Sequence, residues 1–264
     1  MSAQSNRLQQ EWQAFWLAIG FLTRIPMLTR IDYSERLMNQ SSVYFPLVGL
    51  LLGATYAILF SVLSMFWSPL AGVLLVIGFH LWITGAFHED GLADSIDALG
   101  GGYTVAKRME IMKDSRIGTY GTVALVIALG LKATFLLETR LTWLALLVAP
   151  AIARLTPLLL MGFLPYVTDP DKSKSKPVAD GFSTKRLMLA SGFVLAVAVA
   201  AAIPANGMLS SALVATLVVA IGWGLYLKGQ LGGYTGDALG ASVVLSELVL
   251  LAGISALNPG TMNF

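Results

Sequence analysis

Seven long apolar runs, separated by polar links, dominate the chain: Val43–Phe66, Pro69–Phe87, Gly121–Leu137, Leu141–Phe163, Leu187–Ile203, Leu209–Leu227 and Ala238–Leu257. Each approaches the roughly 20 residues that a helix needs to cross a bilayer. Hydrocarbon offers no partner to an open backbone, and the runs lack the period-two alternation of barrel strands, so they predict helices. A further stretch, EWQAFWLAIGFLTRIPML, is different. Its unbroken apolar part, Ala14–Leu22, is short for a crossing, and Trp12 and Trp16 suit an interfacial helix or a short tilted span. No small-residue cleavage site follows it, so it does not read as a signal peptide. The pattern predicts an all-α polytopic membrane protein. About seven transmembrane helices and this N-terminal helix form a single domain over 1–264.

Charge adds an orientation. The links Trp67–Ser68, Glu138–Arg140 and Pro204–Met208 hold only Arg140 as a basic residue. The opposite links hold Arg24, Arg30 and Arg36, then Lys107, Arg108, Lys113 and Arg116, then Lys172, Lys174, Lys176, Lys185 and Arg186, then Lys228. By the positive-inside rule these longer links are cytoplasmic. DPDKSKSKPVADGFSTKR (169–186) reads as one of them, a polar loop. The composition is 56% hydrophobic and 12% charged, and there is no cysteine. Disulfides, thiolate metal sites and iron–sulfur clusters are excluded, leaving hard oxygen ligation or histidine for any metal. The bilayer is the expected partner and nucleic acid is not.

Against that background, HEDGLADSID (88–97) gathers five of the acidic or imidazole side chains in a chain with only 15 Asp and Glu and 2 His. It sits at the cytoplasmic end of the second run. At about 100° per residue, Asp90, Asp94 and Asp97 fall on one helix face within roughly 60°. Carboxylates that close repel one another unless protonated or bridged by a cation. Mg²⁺ binds such oxygens, with one or two carboxylates plus substrate phosphates. A solvated helix start would account for Glu89 and Asp90 through the helix dipole, but not for Asp94 and Asp97 on the same stripe.

Two other segments carry polar chemistry. KRMEIMKDSRIGTYG (107–121) sets Lys113, Asp114 and Arg116 in a polar link, a charge pattern suited to a pyrophosphate. GGYTGDALGASVVLSE (232–247) starts with Gly232, Gly233, Thr235 and Gly236, a turn able to bring backbone N–H groups to an anion. Asp237 follows and starts the last run. The tetrapeptide DALG occurs at 97–100 and at 237–240, so both runs can present an Asp to one cytoplasmic pocket. Glu247 lies about 15 Å further down a helix. A carboxyl at that depth is either functional or a neutral interhelical hydrogen bonder. His80 and Arg154 also fall inside runs. His80 reads as an interhelical hydrogen bonder, and Arg154 as a partner for an acid that the sequence does not identify. Gly49 and Gly53 form a small-xxx-small pair suited to helix packing.

FLTRIP (21–26), YFPLVGLLLG (44–53), GAFHEDGLADSIDALGG (85–101), MKDSRIGTYG (112–121) and GGYTGDALGA with Glu247 resemble, in order and spacing, the cobalamin synthase family, the adenosylcobinamide-GDP ribazoletransferases. The resemblance covers most of the chain. One departure is Ala98, where members of the family often carry Gly after the third Asp. The resemblance implies a Mg²⁺-dependent, multi-pass enzyme of the bacterial cytoplasmic membrane with its active site facing the cytoplasm. A ribose hydroxyl of α-ribazole, or of its phosphate, displaces GMP from adenosylcobinamide-GDP. On that reading Asp90, Asp94 and Asp97, with Asp237, hold Mg²⁺ on the pyrophosphate, and Lys113 and Arg116 neutralise its oxygens and the departing GMP. Either His88 or Asp114 is the base. A CDP-alcohol phosphotransferase is the nearest alternative, but its Asp-Gly-x-x-Ala-Arg signature and later Asp pair are missing. An ion-coupled transporter would use His80, Arg154 and Glu247 as a relay, yet most charge gathers at helix ends and not at the midplane.

Overall fold

The structure, a computed structural model, describes residues 3–167, 183–203, 209–257 and 259–260. Most of the 169–186 loop and all of the 204–208 link therefore lie outside the described residues. In chain order the helices are α1 (Ala3–Leu22), α2 (Glu35–Ser41), α3 (Phe45–Leu63), α4 (Pro69–Thr84), α5 (Phe87–Gly101), α6 (Val105–Met112), α7 (Thr119–Glu138), α8 (Thr142–Ala153), α9 (Thr156–Phe163), α10 (Thr184–Ala202), α11 (Leu209–Leu231) and α12 (Gly236–Leu257). Among the described residues there is no strand, only two isolated bridges, Thr139 with Pro259 and Tyr166 with Tyr234.

Among the described residues, six segments are long and apolar enough to cross a membrane: 35–63, 119–138, 142–163, 184–202, 210–231 and 236–257. The pair α4 and α5 makes a seventh if taken as one broken span. These are the seven runs predicted from the sequence. Two of them are pillars. The segment 142–163 is 83% buried over its apolar window and α12 67% buried, against 22–33% for the other four, so those four lie at the periphery of the bundle. α3 presses on α8 through Gly49 and Gly53, where an added Cβ would strike the backbone at Pro150 and Leu147. The pair does the packing work expected of it. α1 is outside the spanning set; it buries Ala14, Ala18 and Leu22 against the bundle and leaves Trp12 exposed.

The second predicted run, Pro69–Phe87, is not one straight crossing. Gly85 (φ 68°) and Ala86 (φ 56°) both adopt the left-handed region. Their N–H groups donate back to Trp82 and Leu81 at 3.3 and 2.9 Å, the crossed pair of bonds that closes a helix C-terminus. α5 then leaves at 86° to α4. Arg24, in the FLTRIP segment, donates its backbone N–H to Ile83 at 2.7 Å and lays its side chain against Gly85, buttressing the break. Apolar residues continue through 83–87, so hydrophobicity alone carried the predicted run past the turn.

Candidate active site

α5 and α12 meet through glycine. A Cβ added to Gly91 would lie 2.7 Å from the Asp237 carbonyl oxygen and 3.2 Å from Gly240 Cα. The two DALG segments come together here: Ala98 and Ala238, both fully buried, share a cluster with Met112, Leu227 and Leu231. Small residues on both helices let the backbones approach, and that approach carries Asp237 to the Asp90–Asp94 face. Gly91→Ala is therefore expected to force the helices apart, costing about 1–3 kcal/mol of stability. Thermal unfolding in detergent measures it; an unchanged midpoint would contradict the close contact.

The carboxylates divide into two groups. Asp90 is exposed, Asp94 and Asp237 are partly buried, and Asp94 is within electrostatic reach of Asp90, Asp237 and Asp97. Among the described residues, none of these three is ion-paired with Lys or Arg. Asp97 has other work. Its two oxygens accept the N–H groups of Gly118 and Gly121 at 2.7 and 2.9 Å. A side chain on either glycine would collide with that carboxyl. Asp97 thus caps the N-terminus of α7, where a negative charge meets the helix dipole. The sequence stripe grouped it with the metal ligands; the fold gives both its oxygens to the backbone.

Among the described residues, no group of three or more His, Asp or Glu converges as a ready-made metal shell. The donors still fit Mg²⁺ in their chemistry. Asp90, Asp94 and Asp237 are hard oxygen ligands without a counter-ion among the described residues, and Mg²⁺ typically takes one or two carboxylates and completes its shell with water and phosphate.

α6 folds over this end of the bundle. Arg108 donates to the Gln230 carbonyl at 2.8 Å, and Met112 packs beside Ala98 and accepts a contact from the Thr235 hydroxyl at 3.6 Å. The following link holds Lys113, exposed, and a bidentate pair in which Arg116 Nη2 and Nε donate to Asp114 at 2.6 and 3.0 Å. That guanidinium holds the Asp114 carboxyl down at about 2. At neutral pH Asp114 is an ionised, already satisfied acceptor, which makes it a weak base. His88 is also away from the carboxylates. It is about 200° round α5 from Asp90, is buried, and lines an apolar recess with Arg154. Neither candidate base touches the acidic face.

The glycine turn is closed on one side. Gly232 takes φ 83°, and the Pro165 carbonyl fills the space a Gly233 side chain would need. Tyr234 donates to Pro165 at 2.9 Å, and Val167 donates to Tyr234 at 3.1 Å. Thr235 accepts the Ala238 N–H at 3.1 Å and so caps α12. Gly236 lines the recess. The turn fixes where α12 starts, and thereby where Asp237 stands.

A buried polar network underlies the site. His80 joins the Tyr56 hydroxyl at 2.8 Å to Glu89 at 3.0 Å, tying α3, α4 and α5. Lys132 pairs with Glu247 at 3.0 Å, joining α7 to α12, with both side chains 9% exposed. His80 is the interhelical hydrogen bonder that the sequence suggested, and Glu247 has a cation for a partner. Lys132 was missed: one lysine in the apolar run 121–137 reads as a tolerated interruption. Its only signal was that a lone buried cation needs an acid, and Glu247 was unclaimed. Among the described residues Arg154 has no ion-pair partner, and it donates instead to the Pro150 carbonyl at 2.8 Å.

A family described as cobalamin-5-phosphate synthase matches residues 14–255, nearly the whole chain and all of the segments just described. The chain belongs to the cobalamin-5-phosphate synthase family. Among its relatives, the adenosylcobinamide-GDP ribazoletransferase of Shewanella halifaxensis is 40% identical, covering 94% of this chain and 98% of the relative. Those of Shewanella pealeana and Vibrio parahaemolyticus are 41% and 38% identical, each over 94% of this chain and 98% and 94% of theirs. No solved structure matches. The matched stretch includes α5 and α12, whose junction is the candidate site.

Proposed function

We propose that this membrane protein is an adenosylcobinamide-GDP ribazoletransferase acting at the α5–α12 junction. A ribose hydroxyl of α-ribazole, or of α-ribazole phosphate, attacks the phosphorus that carries the cobinamide. The bond from that phosphorus to the bridging oxygen breaks, GMP leaves with the electron pair, and the hydroxyl proton passes to solvent or a base. Phosphoryl transfer asks mainly for positioning and charge neutralisation. Asp90, Asp94 and Asp237 would offer one or two carboxylates to Mg²⁺, which would supply positive charge to the pyrophosphate oxygens. Lys113, a cation without an acidic partner among the described residues, is free to turn toward the departing phosphate. Arg116 gives one face to Asp114 and keeps its chain exposed. Asp97 orients α5 against α7 and keeps the acidic face in register.

The observation that carries this reading is the trio Asp90, Asp94 and Asp237, drawn together from segments far apart in sequence by the contact of Gly91 with Asp237 and Gly240. Purified protein in detergent, given Mg²⁺, adenosylcobinamide-GDP and α-ribazole, is expected to release one GMP for each corrinoid joined to the nucleoside. Consumption of a labelled CDP-alcohol, with no GMP released from adenosylcobinamide-GDP, would overturn it.

The same reading puts the site on the cytoplasmic face of the bacterial inner membrane, supported by the basic residues that crowd its links. In this chain without cysteine, Ser115→Cys is expected to react with a membrane-impermeant thiol reagent only from the cytoplasmic side. Arg140→Cys is expected to react only from outside; both positions are exposed. Labelling of both from one face would refute the orientation.

A further inference from the structure

On the other side of α5 from the carboxylates lies a recess of ≈ 570 Å³ counted out to its mouth, walled by α1, α3, α5, α9 and α12. Phe21, Phe45, Phe87, Tyr166 and Tyr234 give it aromatic walls. Its polar lining includes buried His88 and Arg154, 2% exposed, whose Nη1 donates to the Pro150 carbonyl at 2.8 Å while Nε and Nη2 have no hydrogen-bond partner among the described residues. Buried donors left without acceptors are costly, so a guanidinium held this way is built for an acceptor that arrives from outside the chain. Gly236 and Gly240 of α12 line the recess, and Asp237 stands between them on the α5 side. The recess therefore borders the first turn of α12, which carries Asp237.

We propose that this recess binds the aromatic base of the acceptor nucleoside, with Arg154 donating to the free ring nitrogen of that base. The inference rests on the ribazoletransferase reading. Of the reactants' parts, a pyrophosphate or a guanine needs polar partners on several sides, which these walls do not offer, and a corrin ring is too large. The base of α-ribazole is a planar dimethylbenzimidazole with one ring nitrogen bonded to ribose and the other a lone acceptor. It presents apolar faces to aromatic walls and its single acceptor to the buried Arg154 guanidinium. With the base in the recess, the ribose lies toward the start of α12 and its hydroxyls toward Asp237.

The test varies ligand and protein separately. An acceptor with indole in place of the benzimidazole, CH replacing the free nitrogen, is expected to raise the acceptor KM of the wild type about 10-fold or more. Arg154→Lys is expected to raise the α-ribazole KM by a similar factor and leave the indole analogue no worse than in the wild type. Val243→Phe, which fills the recess without altering Arg154, is expected to raise the α-ribazole KM about 10-fold and leave the KM for adenosylcobinamide-GDP unchanged. Equal wild-type KM values for the two acceptors would overturn the base assignment alone. So would a Val243→Phe effect confined to adenosylcobinamide-GDP. No GMP release from the wild type would overturn the transferase reading, and this inference with it.

Discussion

Asp94→Asn is expected to lower GMP release by about 10²–10³-fold, the loss typical when one preorganised charge partner of a transition state is removed. Asp237→Asn is expected to cost as much, although it stands in a different helix. Both residues belong to one carboxylate group, closed by the contact of Gly91 with Asp237 and Gly240. Groups that act as a unit lose function non-additively, so the double variant is expected to be little worse than either single one. Asp97→Asn provides the contrast. An amide retains one oxygen for the N–H groups of Gly118 and Gly121 but turns an NH₂ toward the other. The expected loss is in folding, about 1–3 kcal/mol, with the Mg²⁺ dependence of residual activity intact. Turnover across a Mg²⁺ titration, with thermal unfolding of each variant, checks all four. Additive losses for Asp94 and Asp237, or a metal response changed only in Asp97→Asn, would dissolve the trio.

The other large effect concerns stability. Lys132→Met is expected to destabilise the bundle by about 3–5 kcal/mol, because it leaves Glu247 charged, buried and without its partner. Glu247→Met is expected to do the same to Lys132. Replacing both by apolar residues of similar volume removes the desolvation cost along with the attraction, and is expected to recover most of the loss. Unfolding midpoints of the three variants in one detergent decide it. If the double variant falls by the sum of the singles, the pair does not couple α7 to α12.

Much of the site could be read from residue types and spacing. The Asp90–Asp94 stripe follows from helix periodicity, and Asp237 was marked by its repeat of DALG at a span end. Gly49 and Gly53 announced a close helix contact, and Lys113 an exposed cation. What spacing does not report is what lies across from a side chain. Asp97 satisfies the same stripe as Asp94, but Gly118 and Gly121 stand opposite it and take its oxygens. Asp114 and Arg116 each looked available to a substrate, and two residues apart they took each other. His88 is two positions from Asp90, yet a helix turns those two residues nearly back to back.

The sequence by itself determined the class of the molecule. Seven apolar runs in lipid must close their own backbone hydrogen bonds, so they become helices whatever their neighbours do. It also determined which scarce polar residues would gather at helix ends, since each carries its solvation cost along the chain. Only the tertiary structure decided how those residues are paired. The 86° break at Gly85–Ala86 turns α5 against α7 and α12. That contact gives the Asp97 oxygens to backbone N–H groups, brings Asp90, Asp94 and Asp237 together, and leaves Arg154 facing an aromatic recess. Hydrophobic periodicity is a property of one helix at a time, whereas counter-ions, caps and cavities are properties of two or more helices in contact.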